Sequence, residues 1–462
     1  MAMNLKNVMK HLPEVEGPAE KQGFNDKAKW TLIILTAFFI LSNISLYGMA
    51  SGFLERFDQL AVLLGTDFGS IISLGIGPIV TASIILQLLV GSKILEIDTH
   101  TPEGKKYFQG LQKILVLFFI IFESIIFVVM GGFSPDASLG SWGVPILVIQ
   151  LILGGLAIML MDEISQKWGF GSGISLFILA GVSLGLFTSL FQFLGTTGIS
   201  GGFQPVGQIW VLISSLMNSN TTGAFAAGAT IVVTAFIFLL VVWTQALKVE
   251  IPLSYDRLRG YGIKWPLAFF YTSVIPVILV AALAANVQLV GGLIENWLGR
   301  PTILGGFNQG VAVSGFASYI GGVNLLQAFV TKSYTHHMIL QAIGHILFYV
   351  FFSILFGLFW VKTSGMDAQS QAKNIMQSGL TIPGFRKDER ILESVLERYI
   401  MPLTIMGGAA IGLLASFSNI VGTLVGGTSI LLAIMVSFQM YQNIAQQHST
   451  DMPASLKKFV KV

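Results

Sequence analysis

The sequence predicts an all-α polytopic membrane protein with ten transmembrane helices, on three observations: composition, the length of its apolar stretches, and the placement of its basic residues. Of 462 residues, 53% are hydrophobic and 11% charged, whereas ordinary soluble domains carry about 25% charged residues. With a mean hydropathy of +0.76, the chain has too few charges to cover the surface of a soluble fold. The second observation is length. A helix rises about 1.5 Å per residue, so about 20 apolar residues are needed to cross a hydrocarbon core about 30 Å thick.

Ten stretches meet that requirement: Trp30 to Met49, Ile71 to Val90, Leu111 to Gly131, Val144 to Met161, Ile174 to Leu194, Ala226 to Leu247, Phe269 to Val290, His337 to Val361, Tyr399 to Phe417 and Ile430 to Gln446. The short alternating stretches of a β-barrel are absent. With the N-terminus placed inside, 23 of the 26 Lys and Arg residues fall on the cytoplasmic side, leaving Arg56, Arg300 and Lys332 outside. Cytoplasmic loops retain such an excess, and an even number of spans returns the C-terminus to the same side. Residues 1–29 carry lysines among acids without an apolar core, so no cleavable signal peptide is expected there. The absence of cysteine excludes disulfides, thiolate metal sites and a cysteine nucleophile.

Ten spans can divide five and five, and an odd number per half makes the second half enter the membrane inverted. The second span of each half offers a faint echo, Ile76-Gly77-Pro78-Ile79-Val80 beside Ile275-Pro276-Val277-Ile278-Leu279. The expected units are an N-terminal segment 1–29, a first half 30–195, an external loop 196–225, a second half 226–446 with cytoplasmic loops 248–265 and 362–398, and a tail 447–462.

Polar groups inside an apolar span carry functional weight. Glu123 is the one acidic residue expected within a span, either as a carboxyl packed between helices or as a working group. His336, His337 and His345 cluster near the eighth span but lack acidic or cysteine neighbours, so no metal site is expected. Gly169-Phe170-Gly171-Ser172-Gly173 follows a span rather than a strand, which argues against phosphate binding and makes Ser172 a candidate N-cap. Between the first two spans, Phe53, Phe57, Leu60 and Leu64 recur at helical spacing, predicting a short amphipathic helix on the outer side, flanked by glycines. The loops bearing Arg257 and Arg259, and Arg386 and Lys387, are longer than charge retention requires, and suit docking to a large polyanion such as ribosomal RNA.

Several blocks together resemble the SecY family, the central subunit of the protein-conducting channel: Leu74 to Ala82, Gln87 to Gly91, Phe108 to Lys113, Gly171 to Ile178, Val249 to Leu253, Ile275 to Leu279, Gly384 to Lys387 and Gly426-Gly427-Thr428. Their wording is nearer the archaeal and eukaryotic branch. The resemblance implies two pseudo-symmetric inverted five-helix halves around a central pore. It also implies a waist ring of Ile76, Val80, Ile174, Ile178, Ile278 and Leu432, a plug at Phe53 to Leu64, and a lateral gate including Thr81, Glu123 and Val274, the last standing where relatives usually have asparagine. Arg257, Arg259, Arg386 and Lys387 would face the ribosome.

The partners so implied are SecE/gamma-like and SecG/Sec-beta-like small subunits, the ribosome, signal peptides, nascent chains and lipid, with no cofactor and no enzymatic activity. An archaeal source would place the chain in the plasma membrane with both termini cytoplasmic. The competing class is a secondary transporter with inverted repeats, which a single intramembrane acid disfavours. An intramembrane protease would need paired aspartates or a serine beside a histidine on facing helices.

Overall fold

The computed structural model describes residues 12–20, 22–52, 67–98, 101–193, 206–255, 262–272, 274–308, 310–330, 332–378, 380–381 and 388–448. Each of the ten apolar stretches falls on a helix: α1 Phe24–Ser42, α2 Gly77–Gly91, α3 Pro102–Val129, α4 Gly143–Trp168, α5 Gly173–Phe191, α6 Thr221–Gln245, α7 Ile275–Leu298, α8 His336–Thr363, α9 Glu389–Val421 and α10 Gly427–His448. Among the described residues, seven helices are long and apolar enough to cross a membrane unaided; α1, α2 and α10 lie outside that set.

Local chemistry starts several of these helices. Thr101 accepts from the Gly104 N–H at 3.1 Å ahead of Pro102, and Asn220 accepts from the Gly223 N–H at 3.1 Å, each satisfying an amide without an intrahelical partner. Asp388 does the same for α9 through Arg390 at 3.0 Å.

The helices pack as two groups. α2, α3 and α4 pack in sequence within the first, α7, α8, α9 and α10 within the second, and the groups meet where α2 touches α7 and α8 and where α5 touches α10. Thus α2 and α5 each face the helix five places further along, as an inverted five-and-five arrangement requires. α7 is buried around nearly its whole circumference, whereas α3 and α6 turn Phe118, Phe122, Phe236 and Leu239 outward. Segments approach closely where side chains are absent: a Cβ on Gly154 would lie 1.9 Å from the carbonyl oxygen of Ile71, in the turns before α2, and one on Gly412 of α9 2.8 Å from that of Tyr349 on α8. Small residues of this kind allow helices to pack within lipid.

Several boundaries differ from expectation. The second span is helical only from Gly77, residues 71–76 forming turns with Gly75 at φ 52°, so its 15 helical residues rise about 22 Å. α1 ends at Ser42, and the chain then forms strand β1, Met49–Gly52, paired antiparallel with β2, Phe133–Pro135. Residues 208–217 of the expected external loop are themselves helical, and α6 already begins at Thr221.

The expected loop 248–265 is a β-hairpin of β3, Lys248–Tyr255, and β4, Gly262–Ala268. A smaller hairpin joins β5, Gly306–Asn308, to β6, Val311–Ser314. β3 also pairs with β7, Leu380–Thr381, so the two basic loops share one three-stranded sheet. Its helix partner, Ala368–Gln377, buries Ala372 and Ile375 against Ile251, Leu267 and Leu392, Leu396 and Ile400 of α9. That second core explains why α9 runs 33 residues rather than ending at the membrane: its first turns are amphipathic and carry the stripe 392, 396, 400 and 403. Tyr271 ties this unit to the approach of α7, its hydroxyl donating to the Met366 carbonyl at 2.5 Å.

Candidate functional site

The six expected waist residues occupy the first turns of four helices. Ile76 is the N-cap of α2, Ile174 and Ile178 are the second and sixth residues of α5, Ile278 the fourth of α7 and Leu432 the sixth of α10. The Val80 N–H donates to the Ile76 carbonyl at 3.0 Å, which keeps those side chains one turn apart although Ile76 precedes the helix. Ile76, Val80, Ile178, Ile278 and Leu432 are buried in one hydrophobic cluster, and Ile174 packs against it partly buried. Pro78 and Pro276 both occupy the first two positions of their helices, where a missing N–H costs nothing. Aligning them pairs Val80 with Ile278 and Ile76 with Val274.

Above this cluster, toward the end of the bundle that carries the hairpin, opens a cavity of about 700 Å³ with Val80, Ile174 and Ile278 in its lining. Its polar lining includes Gln109, Gln112, Gln166, Gln439 and Asn443, and among the described residues Lys105 is its one charged group. Neutral amides hydrate a peptide without holding charged side chains, and branched aliphatic groups at a constriction exclude water and ions.

A polar seam lies where α2 and α3 meet α7. The Thr81 hydroxyl stands 3.2 Å from Glu123 Oε1 and 2.9 Å from the Gly77 carbonyl, to either of which it can donate, and it accepts from Asn286 Nδ2 at 2.9 Å. Twelve residues separate Val274 from Asn286, about 18 Å along a helix, so α7 presents its polar group to this seam three turns beyond the expected position. Val274 itself is the buried N-cap of α7 and belongs to the hydrophobic cluster. At the other end of α7, Asn296 Nδ2 donates to the Met130 carbonyl at 3.1 Å. Both asparagines escape the sequence reading; for Asn286 an amide inside a predicted span was the available signal, whereas Asn296 lies beyond the predicted end of that span.

Asp162 lies just beyond the expected end of the fourth span, on α4, which continues to Trp168 and buries it. Ser172 is the N-cap residue of α5 as expected, but its side chain makes no capping hydrogen bond; the Ile174 N–H donates to Asp162 Oδ1 at 3.0 Å instead. His345 is also buried, with Nδ1 2.6 Å from the Ile320 carbonyl and Nε2 3.2 Å from Asn419 Nδ2. The stretch Phe53 to Leu64 and residues Arg257, Arg259, Arg386 and Lys387 lie outside the described residues. Along the hairpin, Lys264 pairs with Glu250 at 2.6 Å, and that carboxylate raises the ammonium above its ordinary value.

Aliphatic side chains gathered at four helix starts, a largely uncharged cavity beside them and a hydrogen-bonded seam between α2, α3 and α7 point to the class of multi-pass membrane channels. The comparisons with known proteins agree. The SecY family model matches residues 70–441. The chain is 38% identical over 458 residues to the protein translocase subunit SecY of Methanococcus vannielii, covering 99% of each chain. It resembles a solved protein conducting channel with TM-score 0.82 and 37% identity, covering 97% of this chain and 98% of that one. Sec61 in the canine ribosome-channel complex gives TM-score 0.78 and 36% identity with the same coverage. The chain belongs to the SecY family of protein translocase subunits.

Proposed function

We propose that this chain is the central pore-forming subunit of a Sec translocon, passing unfolded secretory polypeptides across the membrane and releasing hydrophobic segments sideways into lipid. The observation that carries this reading is that Ile76, Val80, Ile178, Ile278 and Leu432, at the starts of four helices, are buried in one shared core with Ile174 partly buried against it, beside a largely uncharged cavity lined by Val80, Ile174 and Ile278. A greasy constriction seals by dewetting and offers a sliding chain nothing to bind. The lateral gate is the seam of α2 and α3 against α7 and α8, held shut in part by Thr81, Glu123 and Asn286, with the buried Val274 at the start of α7 as its apolar member. Residues 53–64 act as the plug on the outer side.

The chain makes and breaks no covalent bond, its driving force coming from translation or a separate partner. Both termini are cytoplasmic, as the basic residues favour, and the archaeal relatives favour the plasma membrane. SecE/gamma-like and SecG/Sec-beta-like subunits complete the complex, and Arg257, Arg259, Arg386 and Lys387 meet the ribosome, supported by the likeness to Sec61 in a ribosome-channel complex. The test is to stall a secretory chain on a ribosome and crosslink it to probes placed at Ile178 and at Thr81. Crosslinks at both positions, moving from Thr81 to Ile178 as the chain lengthens, are expected. Crosslinks at neither position would overturn the reading.

A further inference from the structure

We infer that Asp162 and Asn419 are positioning residues, a matched pair of cross-helix caps that set the depth at which α5 and α10 present Ile178 and Leu432 to the constriction. This rests on the reading of those side chains as the waist of the channel. The two sites have the same construction. On α5, the second residue, Ile174, donates its N–H to Asp162 Oδ1 of α4 at 3.0 Å; on α10, the second residue, Thr428, donates its N–H to Asn419 Oδ1 of α9 at 3.0 Å. Each helix begins with a glycine pressed against the capping residue. A Cβ on Gly173 would stand 2.6 Å from the Asp162 Cα, and one on Gly427 2.3 Å from the Asn419 nitrogen. Each then presents its waist residue at the sixth position, Ile178 or Leu432. Helices four and nine, and five and ten, are counterparts in a five-and-five inverted repeat, so one device appears twice.

Each cap is itself held. Gln166 Nε2 donates to Asp162 Oδ2 at 2.8 Å. Asn419 Nδ2 donates to Thr428 Oγ1 at 2.6 Å and stands 3.2 Å from His345 Nε2. Because His345 Nδ1 lies 2.6 Å from the Ile320 carbonyl, its N–H points there and Nε2 is left to accept from Asn419. Apolar packing alone leaves a helix free to slide or rotate at small cost, whereas a directional bond to its second amide fixes both. Polar groups in apolar interfaces are best attested in this registering role.

The test uses the full channel complex in planar bilayers, with resting ion conductance as readout. Asp162→Ala and Asn419→Ala raise conductance about fivefold, the change in populations expected from losing a cap, while Asp162→Asn, which keeps the accepting oxygen, restores the seal. Because the chain has no native cysteine, single cysteines report each helix. Asp162→Ala speeds maleimide labelling of Ile178→Cys but not of Leu432→Cys, and Asn419→Ala does the reverse; general loosening would speed both and refute the inference. Ile178→Ser and Leu432→Ser run beside them. If these two leave conductance unchanged, the waist reading fails; if they leak while both alanine variants stay sealed, the positioning role alone fails.

Discussion

Asn286 on α7 donates to the hydroxyl of Thr81 on α2 across 2.9 Å, joining the two halves of the molecule at the seam where a lateral gate would part. Thr81 in turn stands 3.2 Å from Glu123 on α3, so one hydroxyl connects three helices. Opening the seam breaks this contact in a region with little water to replace it. Asn286→Ala is expected to favour the open form by about 1 kcal/mol, the net worth of a typical hydrogen bond, or roughly fivefold in population. Export of a client carrying a weakened signal sequence should rise accordingly; export no better than wild type would show that the bond does not hold the gate.

Polar substitution of Ile76, Val80, Ile174 and Ile178 together should wet the constriction and increase resting ion conductance by at least roughly tenfold. Planar-bilayer recording measures this directly, and an unchanged current would place those side chains away from the permeation path.

Reversing charge at Arg257, Arg259, Arg386 and Lys387 should weaken ribosome binding, and the loss should shrink as salt rises. Each phosphate contact removed lowers the slope of log affinity against log salt by about one unit. Titrations at several ionic strengths decide the matter, because equal affinity and slope in wild type and variant would remove these residues from the interface.

Tyr271→Phe deletes the hydroxyl that donates to the Met366 carbonyl. The segment Ala368–Gln377 and the hairpin should then open more readily, by about 1 kcal/mol, seen as faster amide hydrogen exchange in residues 368–377. Exchange unchanged there would mean that the apolar core beneath the sheet suffices.

Gly154→Ala and Gly228→Ala form a contrasting pair. At Gly154 the new methyl would lie 1.9 Å from the Ile71 carbonyl oxygen, while at Gly228 the nearest atom is 3.7 Å away on Leu212. The first should lose about 3 kcal/mol of stability through overpacking, and the second should remain near wild type. Thermal unfolding in detergent separates them, and equal midpoints would contradict the close approach of α4 to residue 71.

Much was legible in the chain because lipid is a demanding solvent. A stretch that crosses it must be apolar and hydrogen-bonded within itself, so all ten helices could be located from hydropathy, and the clustering of lysine and arginine suggests their orientation. The aliphatic residues proposed for the waist were nameable only through family resemblance, since in composition an isoleucine facing a constriction is indistinguishable from one facing a neighbouring helix. The seam and the caps were hidden for another reason. Asn286 meets Thr81, Asn419 meets Thr428 and Asp162 meets Ile174 across helix boundaries, and no local periodicity records which helices become neighbours. The sheet that joins two separate loops through β3 and β7 is hidden in the same way. What the sequence by itself determined is the ten apolar stretches that become helices and the solvent they require, because hydrophobic burial and backbone pairing act within each segment. Only the tertiary structure decided which polar atoms meet, because a hydrogen bond depends on placement to a fraction of an ångström between residues as many as 205 positions apart.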